Sequence, residues 1–109
     1  MSWLLRDGDV LAALDDPGPG WARRLTSAAW LEAPAMVQTF RPAMSLDLAW
    51  CDPAAAQDGR PAWQVRRIRC VGRGRLALPK LTRGGLVVAP AGAFERWKLD
   101  LGHVIEIRL

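Results

Sequence analysis

The stretch Met44-Ser45-Leu46-Asp47-Leu48-Ala49-Trp50-Cys51-Asp52 decides the fold. Met44, Leu46, Leu48 and Trp50 alternate with Ser45, Asp47, Ala49 and Cys51, a period of two that gathers a strongly apolar row on one side of an extended chain. This is the pattern of a strand lying on a core. Downstream, "WQVRRIRCV" at 63–71 alternates with a fault. Trp63 and Val65 share one phase and Ile68 and Cys70 the other, and a bulge at Arg66–Arg67 reconciles them.

Further out, "WLLRDGDVLAAL" places two short apolar runs around Asp7-Gly8, a common hairpin signal. "DDPGPG" breaks the chain after it. In "WARRLTSAAWLEA" the residues Trp21, Leu25, Ala28, Ala29 and Leu31 roughly follow helical spacing, which predicts a short helix ending before Pro34. Trp21 and Trp30 are then expected to cover the open face of a sheet. "MVQTF" at 36–40 reads as extended, and "DPAAAQDGRP" at 52–61 as a surface loop. "GRGRLALPKLTRGG" is irregular, "LVVAP" a buried strand, "AGAFERWKL" one or two helical turns and "HVIEIRL" a closing strand. Short strands with turn signals and one or two short helices predict a mainly β fold, a small barrel or sandwich forming one domain over residues 1–109.

Composition narrows the classes. Half the residues are apolar and 24% charged, as in an ordinary globular chain. No apolar run is long enough to span a bilayer as a helix. The start "MSWLLRDGDVL" lacks a basic leader ahead of an apolar stretch, so it does not read as a signal peptide and a cytoplasmic location is expected. Two cysteines, Cys51 and Cys70, are too few for a disulfide scaffold or a four-thiolate metal site, and both are expected as buried free thiols. The net charge of +4 hides a polarity: residues 1–58 carry four basic and eight acidic side chains, residues 59–109 eleven and three. No acidic residue lies between Gly59 and Phe94. An anionic partner follows as an expectation.

Two segments, "VQTFRPAMSLDLAWCD" and "LVVAPAGAFERWKLDLGHVIEI", resemble the domain-of-unknown-function family numbered one hundred and ninety-two, small prokaryotic proteins. Thr39 and Asp47 with the apolar residues after it match that family's first motif; Ala89 to Gly92, including Pro90, and Gly102 match its second. The opening "WLLRDGDVLA" is similar to the hairpin of actinobacterial members. The first motif is eroded: Gln38 stands where the family usually has histidine, and Ser45 where it has proline. The resemblance implies a compact, mainly β fold and supplies no activity. It also implies that relatives are often exported, in tension with the missing leader.

Few residues invite catalysis. His103 is the only histidine, and a general base needs an acid, nucleophile or metal co-ligand within reach. With no ligand spacing around it, it reads first as a polar turn residue, and no metal or other cofactor is expected. Asp47 interrupts an apolar strand, so its carboxylate must be hydrogen-bonded or paired. A degenerate hydrolase-like or metal site around Asp47 and His103 is one alternative. Gln38 cannot exchange a proton as a histidine would. "GRGR" lacks the ending of a phosphate-binding loop, and no serine has a nucleophile-elbow context. The basic segment 60–83, with Arg66, Arg67, Arg69, Arg73 and Arg75, is a candidate surface for anions or single-stranded nucleic acid, Trp63 standing close by. Taken together the residues point to a non-enzymatic binding or assembly accessory protein with an unidentified protein partner.

Overall fold

The computed structural model describes residues 2–15, 25–32, 44–57, 59–73 and 84–108. Asp7 and Gly8 both take positive φ, 51° and 83°, as a tight type I′ turn requires. They fold β1 (Ser2–Arg6) back onto β2 (Asp9–Leu14). The alternating stretch forms β4 (Leu46–Gln57), which pairs with β5 (Arg60–Val71) on one side and β6 (Gly85–Pro90) on the other. β3 (Ala29–Glu32) flanks β6, and β7 (Val104–Arg108) lies between β1 and β5. Among the described residues these seven strands make one antiparallel sheet, ordered β2-β1-β7-β5-β4-β6-β3. One short helix, α1 (Ala93–Trp97), follows β6.

Alternation along β4 divides the apolar residues between two cores. Leu46 and Leu48 join Ala29, Leu31, Leu86 and Val88, with Trp50 half-buried against them. Ala49 and Cys51 face the other way, toward Leu4, Val65, Val87, Phe94 and Ile105. β6 is buried on both faces, which is why its sequence is apolar without a break. Leu4, Leu46, Leu48, Leu86 and Ile105 are each at most 1% exposed. Each such side chain stabilises the fold by roughly 1.5–3 kcal/mol relative to exposure.

The fault in β5 is a bulge, as its phases demand. Trp50 pairs with Arg67 and Cys51 with Val65, leaving Arg66 as the extra residue. Val65, Trp63 and Ile68 consequently pack on one core.

Three expectations are corrected. Residues Ala29–Glu32 form a strand, not part of a helix. Ala28 to Leu31 are all buried and Trp30 pairs with Val87, so burial on both faces by a distant partner overrides helical spacing. The start of that expected helix, with Trp21, and the extended reading of 36–40 lie outside the described residues. Residues 52–57 are not a loop but the far half of β4, and its connection to β5 is only the two-residue step between Gln57 and Arg60. Asp52, Pro53, Ala55 and Ala56 are exposed, so no buried face marked the strand in sequence. β6 stops pairing at Cys51, and Pro53 is tolerated where β4 has one neighbour only.

The third correction concerns closure. Trp30 on β3 and Trp63 on β5 lie three strand spacings apart, about 14 Å across a flat sheet. Their ring centroids are nevertheless 4.9 Å apart, so the sheet is strongly coiled. A parallel bridge, Leu14 to Ala28, tethers the β2 edge to the chain entering β3. The sheet is mainly β as expected, but it is one open sheet and does not close into a barrel.

Candidate functional site

Asp47 sits on β4 where the strand passes the start of α1. Its Oδ2 accepts the backbone N–H of Gly92 at 3.0 Å and of Phe94 at 3.2 Å. Gly92, with φ 95°, occupies the left-handed region at the helix N-cap and has no side chain to cap it, so the strand carboxylate takes that role. Pro90 closes β6 just before this turn. Cys70 lies directly across from Asp47 in the ladder. What burial it has, the Asp47 charge and a hydrogen bond to Asp47 raise the Cys70 pKa.

His103 occupies the turn before β7. Its Nδ1 accepts the Asp100 backbone N–H at 3.0 Å and faces Arg6 Nη1 at 3.4 Å. Arg6 Nη1 also donates to the Lys98 carbonyl at 2.9 Å, which fastens the turn to β1. The backbone continues the β7–β5 ladder: Gly102 N–H donates to Val65 and Val65 N–H to His103. Val65 in turn pairs with Cys51 on β4, four residues from Asp47. Asp47 and His103 are therefore separated by about 13 Å along the strand, and by the strands between. The structure does not bring them together. Among the described residues no group of three or more His, Cys, Asp or Glu could hold a metal ion.

Both cysteines are free thiols, Cys51 buried as expected and Cys70 exposed against expectation. The Cys51 thiol donates to the Ala49 carbonyl at 3.6 Å. Cys70 is exposed because it lies toward the end of β5, beyond the strand's contact with β7.

The arginines separate into two groups. Arg66, pushed out by the bulge, pairs with Asp52 at 3.5 Å with both side chains largely exposed. Arg67 and Arg69 share one face, across from Trp50 and Leu48. Arg67 stacks over Trp50, its guanidinium carbon 5.0 Å from the ring centroid. Arg73 is exposed past the end of β5, its backbone N–H donating to Ser45 Oγ at 3.3 Å. Among the described residues Arg67, Arg69 and Arg73 have no acidic partner. Gln38, Thr39, Arg75, Lys80 and Arg83 lie outside the described residues.

A further site was not legible in the sequence. At one end of the coiled sheet Ser2, Leu14, Asp15, Trp30, Glu32, Pro61, Trp63 and Ile107 line a cavity of about 360 Å³. Trp30 lies across Gly85: a Cβ there would stand 2.3 Å from its ring. Asp15 Oδ2 accepts the N–H groups of Thr26 and Ser27, and Oδ1 the Thr26 hydroxyl. The sequence places Trp30 over the open face of a sheet and Trp63 beside the basic segment, and nothing local singles out Asp15 or Glu32.

No family model matches this chain. No curated protein or solved structure matches it either. Among the described residues no helix is long and apolar enough to cross a membrane.

Proposed function

We propose that this chain is a non-enzymatic binding domain that engages a phosphate-bearing partner, single-stranded nucleic acid above all, through the arginine face of β5. The observation that carries the reading is the Arg67–Trp50 stack with Arg69 two residues along the same face, about 6.7 Å away at strand spacing. An exposed guanidinium over an indole offers charge to a phosphate and a planar group to a base. The absence of acidic residues between Gly59 and Phe94 leaves this face without internal competition from its own segment. Asp47 and His103 support a non-catalytic role, because each is committed to backbone N–H groups. The likeness to the uncharacterised family adds no activity to this reading.

Chromatography on immobilised single-stranded oligonucleotide tests it. The chain is expected to be retained at low salt and to elute steeply as salt rises, with the double variant Arg67→Glu/Arg69→Glu eluting at once. Absence of retention at low ionic strength, or equal retention of the variant, would sink the proposal.

A further inference from the structure

The cavity at the mouth of the coiled sheet has a chemistry distinct from the arginine face. It is shaped by residues of β1, β2, β3, β5 and β7 together with Asp15, so it exists only in the assembled sheet. Its volume of about 360 Å³ falls at the lower end of small-ligand pockets.

Its walls combine two aromatic rings with two carboxylates. The Trp30–Trp63 pair is tilted at 59° with centroids 4.9 Å apart, giving a corner rather than a flat stack. The Trp30 indole occupies the space that a side chain at Gly85 would take. Glu32 lies two residues from Trp30 on the same strand face and is exposed. Asp15 is held on the same rim by Thr26 and Ser27. Among the described lining residues no basic side chain is present, on a chain whose net charge is +4. The exposed Glu32 carboxylate beside two indole rings complements a cation that carries apolar groups.

We propose that this mouth binds a small organic cation with an alkylated ammonium head. The head contacts the Trp30–Trp63 corner, Glu32 supplies the opposing charge, and Leu14 and Ile107 receive the alkyl part. A neutral molecule of the same shape would gain the apolar contacts but neither electrostatic one.

Titration of the full chain with choline, read by tryptophan fluorescence and calorimetry at low ionic strength, tests this against dimethylbutanol, the neutral carbon isostere. Choline is expected to bind saturably and about tenfold more tightly than the isostere. Glu32→Gln, an exposed change, is expected to weaken choline about fivefold, while Glu95→Gln on the exposed side of α1 leaves it unchanged. Trp63→Leu is expected to abolish the preference for the cation; if that variant does not fold, Glu32→Gln decides. Equal binding of choline and the isostere, no saturable choline binding, or indifference to Glu32→Gln would each overturn the proposal.

Discussion

The carboxylate of Asp47 accepts the backbone N–H of Gly92 at 3.0 Å, so a strand residue caps a helix forty-five positions further along the chain. The contact locks α1 onto the sheet and uses the charge that had seemed available for chemistry. Asp47→Ala is expected to lower stability by about 1–2 kcal/mol, and Asp47→Asn by less, since an amide oxygen can still accept. Urea unfolding of both variants checks the order; equal losses would show that the cap does not carry the effect.

The same carboxylate restrains the thiol opposite. The Asp47 charge and hydrogen bond help hold Cys70 protonated, so in native protein near neutral pH Cys70 should alkylate more slowly than an unstructured thiol. Cys51, buried, should react only after unfolding. Asp47→Asn is expected to speed Cys70 labelling. Timed labelling with mass detection measures all three; rapid modification of Cys51 in folded protein would contradict the packing.

Burial first, then the Asp52 charge, push the Cys51 thiol up to about 12 from 9.0. The folded state holds this proton more tightly than the unfolded chain. Its contribution is therefore complete below pH 9.0 and is lost as pH rises toward about 12. The slope is at most ~1.4 kcal/mol per pH unit. Denaturation midpoints measured across that range should fall for the native sequence and fall less for Cys51→Ala.

Gly85→Ala would place a methyl group 2.3 Å from the Trp30 ring. Either the indole moves or the strand does, at a cost of about 3 kcal/mol. Thermal unfolding reads the loss, and a changed tryptophan emission shows that the ring has moved. An unperturbed variant would mean that Trp30 does not rest on this glycine.

Deleting Arg66 gives "WQVRIRCV", in which Trp63, Val65 and the residues after them alternate without a fault. Stability is expected to change by less than about 2 kcal/mol, because every apolar side chain keeps its face. Deleting Gln64 instead turns Trp63 out of the core and should abolish the cooperative unfolding transition. Circular dichroism melts of the two deletions separate these outcomes.

What the sequence made legible follows from where each signal resides. The Asp7-Gly8 hairpin, the alternation from Leu46 to Cys51 and the bulge at Arg66 are local, and their phases alone are enough to place them. Trp30 and its neighbours were misread because their strand state comes from pairing with Val87 and Leu86, more than fifty residues away. Asp52 to Gln57 carry no apolar row, so a strand with two wet faces looked like a loop. The cavity was invisible for a stronger reason: its residues come from five strands and acquire a shared wall only through the coil of the sheet.

The register also sets an order of assembly. Gln57 meets Arg60 across a connection as short as the one between Arg6 and Asp9, whereas Trp3 meets Arg108 across nearly the whole chain. Closing a long loop costs entropy before its contacts repay it, so we expect the β4–β5 ribbon to form early and β1 to reach β7 late. Ala49→Gly should then slow refolding while Leu4→Ala mainly speeds unfolding, and the reverse pattern in stopped-flow kinetics would refute this order. On that schedule the arginine ribbon is present while the sheet is still incomplete, and the corner between Trp30 and Trp63 is among the last features to exist.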